Sequence, residues 1–214
     1  MRNHRLKLMG LLGLIFPVLV LSGLGQTQVL SRRQILGTEV AHAHEFSAQR
    51  LVHAARSQIG ITVGYDPNYV VLKYPNGDVP MSTGVCADVV VRAMRTQGVD
   101  LQRLIHDDMS RAFSSYPKRW GLKHPDSNID HRRVLNLETY MHRAGKSLPI
   151  SRNESDFQPG DWVAWSIGGK LPHIGIVSDR KSSQGVPLII HNIGDGTQEQ
   201  DILFAFPMTG HYRW

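Results

Sequence analysis

Cysteine is almost absent from this sequence: one residue, Cys86, in 214. A lone cysteine cannot close an internal disulfide or supply a multi-cysteine zinc site, so disulfide scaffolds and zinc-finger-type modules are excluded within the chain. There is no long run of Lys and Arg. With 24 basic against 18 acidic residues, the charge is only mildly positive, and nothing forms the basic stripe that a phosphate-tracking protein needs, so nucleic acid is not an expected partner. Internal repeats and low-complexity tracts are missing too. A content of 41% hydrophobic and 20% charged residues suits one globular domain and argues against a disordered or multi-pass membrane chain.

The N-terminus reads as an export signal. Arg2, His4, Arg5 and Lys7 precede an apolar stretch from Leu8 to Leu21, and small residues follow at Ser22, Gly23 and Gly25. The stretch is short for a membrane span and carries Pro17, which favours a cleaved signal over residues 1–25 rather than a retained anchor. Loss of this segment takes the formal charge from +6 to +3. Residues 26–44 read as a linker or arm, and 45–214 as the folded domain, periplasmic or otherwise extracytoplasmic, with no stable membrane association after cleavage. An unpaired thiol is a liability in an oxidising compartment, so Cys86 draws notice, although buried and inert is the common state of a free cysteine.

Helical spacing of apolar residues predicts helices over 46–59, from about 84 to Gly98, over 101–113 and over 133–144. Ser82 or Thr83 is the expected N-cap of the second. Short β-rich runs bounded by Gly, Pro or Asp predict strands at 69–72, 162–167, 173–178, 187–193 and 202–206. Helices first and an antiparallel sheet second make the fold class α+β.

In the first helical turn, Cys86 would meet unpaired N–H groups and the positive end of the macrodipole, which favour its thiolate. A nucleophilic thiol also needs an imidazole to exchange its proton and a third group to orient that ring. His173 starts the run Pro172-His173-Ile174-Gly175-Ile176-Val177, with Gly175 leaving room beside it. His191 ends the run Leu188-Ile189-Ile190-His191, so a hairpin would set the two imidazoles side by side. Backbone N–H groups at the helix start would supply oxyanion stabilisation. Asp88 has two readings, a cap for its own helix or a group facing the cleft. Arg132 and Arg133 could hold a substrate carboxylate as a fork.

A Cys opening a helix, Pro159-Gly160-Asp161 leading into a Trp-containing strand, the His173-Ile174-Gly175-Ile176-Val177 strand and a strand ending in Ile190-His191 together resemble the NlpC-type cysteine peptidases, papain-like hydrolases of bacterial cell walls. The resemblance spans about 58–193. It implies a papain-like fold, with Cys86 as nucleophile, His173 as base and His191 as the residue orienting it. It also implies a peptidoglycan or muropeptide substrate, no cofactor, and a tyrosine upstream of the cysteine that polarises the carbonyl, matched by Tyr74 or Tyr65. Val85-Cys86-Ala87-Asp88 departs from the Asp-Cys-Ser-Gly usual in those enzymes. The chain also resembles a narrower bacterial family known only as a domain of unknown function, through Val85-Cys86-Ala87-Asp88, Asn128-Ile129-Asp130-His131-Arg132, His191-Asn192-Ile193-Gly194 and Gly210-His211-Tyr212-Arg213. The long segment 101–144 is expected to build one wall of the cleft.

The expected function is therefore an exported thiol hydrolase, monomeric, cutting an amide bond of peptidoglycan as an endopeptidase or amidase. Three rivals stand beside it. Eleven histidines, among them His42 with His44 or His173 with His191, raise a zinc site, yet no His-Glu-x-x-His template exists. A wall-binding module of the same shape would keep the fold without turnover. An acyltransferase would use the same thiol and resolve the thioester with an amine.

Overall fold

The computed structural model describes residues 46–214. The expected signal, the arm, His42, His44 and Glu45 lie outside the described residues. Among the described residues four α-helices come first: α1 (Ala48–Arg56), α2 (Cys86–Arg95), α3 (Leu101–Ala112) and α4 (Val134–Arg143). A parallel pair of two-residue strands, β1 (Gly64–Tyr65) and β2 (Thr83–Gly84), lies between α1 and α2. The rest is one antiparallel sheet of β3 (Ser147–Leu148), β4 (Trp162–Ile167), β5 (Leu171–Lys181), β6 (Pro187–Asn192), β7 (Thr197–Gln200) and β8 (Met208–Tyr212), in the order β3-β8-β4-β5-β6-β7. The α+β expectation holds.

Sequence chemistry explains most boundaries. Ser47 and Asp100 cap α1 and α3 by accepting the Arg50 and Arg103 amides, satisfying donors that have no intrahelical partner. Gly98, at φ 76°, takes the left-handed turn that stops α2. The expected cap of α2 is wrong: the N-cap is Val85, which has no acceptor. Its own amide instead donates to Asp88 Oδ2 at 2.6 Å, so a carboxylate inside the first turn does the capping.

α2 is the central element. Its apolar residues from Cys86 to Met94 are all buried, packed between α1, Leu101 and Ile105 of α3, Leu137 and Met141 of α4, and Ile174, Ile176 and Ile190 of the sheet. Each such aliphatic side chain contributes about 1.5–3 kcal/mol on full burial. Val163, Trp165, Val177, Ile189 and Leu203 form a second core. Strand alternation sends Ile174 and Ile176 to the first core and Val177 to the second.

Two strand expectations fail. Residues 69–72 stay irregular, because the Leu72 amide bonds Asn128 Oδ1 at 2.8 Å rather than a neighbouring strand. The apolar run 202–206 is a turn, closed by the Ala205 amide on Ile202 and covering the second core with Leu203, whose carbonyl accepts from Trp165 Nε1. Five strands lie where none was expected: the two-residue β1, β2 and β3, and the longer β7 and β8.

Candidate active site

A cleft of about 370 Å³ opens at the N-terminus of α2, lined by Tyr65, Tyr69, Cys86, Trp120, Arg132, Arg133 and Pro172 among others. As expected, the segment 101–144 supplies one wall, through Trp120, Ile129 and Arg132 to Leu135. Cys86 is 3% exposed, at the first helical position. Desolvation by burial, with Asp88 adding to it, pushes the thiol up to about 11 against the pull of the Ile174, Ala87 and Cys86 backbone amides, which favour the thiolate. That direction is opposite to the one expected from the helix end alone. A helix end lowers a thiol pKa only where the charge it stabilises is not stripped of solvent.

The sheet brings the two histidines together. His173 Nε2 lies 3.1 Å from His191 Nδ1, the rings nearly perpendicular at 86°. His191 Nε2 in turn lies 2.9 Å from Gln200 Oε1 on β7. Burial pushes His173 down to about 3, with His191 adding to the effect, and pushes His191 down to about 4 against the upward pull of Gln200. Both are neutral at pH 7. Gly175 is small for the reason expected: a Cβ there would stand 2.5 Å from Ile189 Cγ2 and 3.1 Å from His191 Cβ. Trp165 packs on His173 at 5.8 Å between ring centroids, closing the other side.

Other expected site residues are redistributed. Arg132 does not offer a free fork: its Nε and Nη2 donate to Asp88 at 2.9 and 3.0 Å, and Nη1 and Nη2 to the Asn68 and Asp66 carbonyls at 3.2 Å. Asp88 is consumed by the same pair and by the Val85 amide, so neither group is left for a substrate carboxylate. Arg133 lines the cleft as well, its guanidinium 4.2 Å above the Trp120 ring and one Nη 3.2 Å from Asp130. Of the two tyrosines, Tyr65 is the one on the cleft. Burial, with the nearby Cys86 and Asp88, pushes its hydroxyl to about 12, so it stays a proton donor. Tyr74 packs edge-on against His106 with its hydroxyl 3.5 Å from Asp107, and does not line the cleft.

Residues 52–214 match the family described as "Domain of unknown function (DUF1287)". The chain belongs to the DUF1287 family. The DUF1287 chain is 57% identical to "Uncharacterized protein YijF" of Escherichia coli (strain K12) over 164 residues, 77% of this chain and 80% of that relative. Among solved structures it is similar to NlpC1 from Trichomonas vaginalis, at 11% identity and a TM-score of 0.45, over 80% of this chain and 47% of that one. It therefore spans about half the length of that structure.

Two residues of this DUF1287 site escaped the sequence reading. Asn192 Nδ2 donates to the Gly64 and Gly84 carbonyls at 3.1 and 3.0 Å. It thereby ties the strand carrying Tyr65, and the approach to Cys86, to the end of β6. Gln200 completes the histidine chain. A signal existed for the first, an amide side chain directly after the expected orienting His191, and none for the second, which sits in a polar run. Residues of the Gly210-His211-Tyr212-Arg213 segment serve elsewhere. His211 and Arg213 bond Asp161 at 2.7–2.8 Å, fastening β8 to the turn that opens β4. Among the described residues, no group of three or more His, Cys, Asp and Glu side chains is placed to hold a metal, and the His173 and His191 nitrogens that face each other are 3.1 Å apart.

Proposed function

We propose that this DUF1287 protein is an exported thiol hydrolase that cleaves an amide bond of peptidoglycan, within or at the base of the stem peptide. The observation that carries the reading is the placement of the sulfur. It opens a buried helix, lines the cleft and packs in the same core as Ile174, while the adjacent residue, His173, is backed by His191 and Gln200.

Cys86 Sγ attacks the amide carbonyl as its proton passes to Nδ1 of His173, the ring nitrogen not engaged by His191. The two pKa values near 11 and 3 describe each group ionising alone. Proton transfer creates thiolate and imidazolium together, and their attraction in a poorly solvated site offsets much of that gap. The developing oxyanion faces the backbone amides at the start of α2, worth about 3 kcal/mol of barrier per donor, with the Tyr65 hydroxyl as a further donor. The imidazolium returns the proton to the leaving amine, and the C–N bond breaks. Water, deprotonated by the same ring, then hydrolyses the thioester to a carboxylate and frees the thiol. Arg133, over Trp120, takes the substrate-carboxylate role that Arg132 cannot. Residues 1–25 direct export, which puts the enzyme with its polymer.

The high thiol pKa favours one other reading, a wall-binding module of this shape. Incubating the purified protein with muropeptides and weighing the products separates them. Products heavier in sum by one water support the hydrolase, products joined to an added amine mark a transferase, and bound but unchanged muropeptides mark the binding module.

A further inference from the structure

The histidine pair ends on two glutamines, and their order has a chemical consequence. In the β6–β7 register, His191 stands opposite Gln198 and Ile189 opposite Gln200, so both glutamines lie on the histidine's face of the sheet. Gln200 Nε2 donates to Gln198 Oε1 at 2.5 Å, and Gln200 Oε1 lies 2.9 Å from His191 Nε2. An amide oxygen only accepts, so His191 must carry its proton on Nε2. A neutral imidazole has one N–H. His191 Nδ1 is then a lone pair, the 3.1 Å bond to it must come from His173 Nε2–H, and His173 Nδ1 is left unprotonated.

We propose that Gln200, held by Gln198, is a positioning residue that sets the tautomers of both histidines so that His173 presents a bare Nδ1 as proton acceptor. An amide turned the other way would donate to His191 Nε2, reverse every bond in the chain and leave a proton on His173 Nδ1, where no base is then available. Burial keeps both rings neutral, so the chain has only these two settings. The catalytic consequence rests on the hydrolase reading; the tautomers do not.

The test is a long-range proton–nitrogen NMR spectrum of the full chain labelled with 15N-histidine, at neutral pH, with His173 and His191 assigned by substitution. The expected result is Nε2–H on both rings in the native protein, and again in Gln200→Glu, which still accepts. In Gln200→Leu the Nδ1–H form should appear on both. On muropeptides, Gln200→Leu should lower kcat about 10- to 100-fold, by analogy with loss of the group that orients a metal-ligating histidine, with KM unchanged, and Gln200→Glu should recover most of the loss. A proton on His173 Nδ1 in the native protein, or unchanged tautomers in folded Gln200→Leu, overturns the proposal. If Gln200→Leu does not fold, the native and Gln200→Glu spectra decide alone. Native tautomers as expected without cleavage of any muropeptide would count against the hydrolase and leave the tautomer assignment standing.

Discussion

Two buried polar clusters, one beside Cys86 on the cleft wall and one on the sheet, differ in kind. On the helix side, Asp88 and Arg132 form an ion pair, almost wholly buried and locked in a two-point bond, with the remaining guanidinium donors on backbone carbonyls. On the sheet side, His173, His191 and Gln200 are neutral and joined end to end. A saturated ion pair holds geometry and has nothing left to give a substrate. A neutral chain that ends on a free ring nitrogen can still accept a proton. The Asp88 and Arg132 side chains therefore fix the cleft wall, and proton transfer in the proposed mechanism falls to the histidines.

The largest test of this contrast is Arg132→Met. It strands the Asp88 carboxylate in the interior and should cost about 3–5 kcal/mol, read by denaturant titration; a loss below about 1 kcal/mol would show that the pair is not the clasp described. His191→Ala should do the opposite, leaving most of the stability and showing itself in kcat. Gly175→Ala comes next, at about 1–3 kcal/mol from overpacking. It should lower the rate as well, because the added methyl presses on the His191 Cβ; a silent Gly175→Ala would mean that the ring has room to move.

A smaller effect concerns acid. Burial pushes His131, His173 and His191 down to about 4, about 3 and about 4, against an ordinary 6.5. The unfolded chain therefore binds more protons across that interval, so stability is complete above 6.5 and declines as pH falls toward these values. Denaturant titrations at a series of pH values should show that slope, and His191→Gln should make it shallower; an unchanged slope would mean that the ring is not desolvated. The mildest perturbation is alkylation. With the thiol near 11, iodoacetamide should react slowly at neutral pH and faster only toward alkaline pH. Rapid labelling in mild acid would instead reveal a resting ion pair.

Local patterns were legible in the sequence because they depend on neighbours along the chain. The apolar face of α2, the strands holding His173 and His191 and the room that Gly175 leaves follow from spacing, and the cleft wall from 101–144 from the resemblance. What was hidden depends on distant partners. Arg132 looks like an exposed fork until Asp88, 44 residues earlier, takes it. The helix-end field on Cys86 is visible in sequence, but the burial that outweighs it is created only when β5 covers the sulfur. β7 was missed because Thr197-Gln198-Glu199-Gln200 has none of the apolar alternation of a strand, and its residues matter here for their amides. Ile202 to Phe206 misled for the converse reason: an apolar run was needed to cover a second core, not to extend the sheet.

The central claim is that one sulfur does the chemistry, and the substitution Cys86→Ala tests it most directly. Placed beside the native protein on the same muropeptides, with folding verified by its thermal transition, the variant should yield no cleavage products at all. Product formation by folded Cys86→Ala at the native rate would contradict the account.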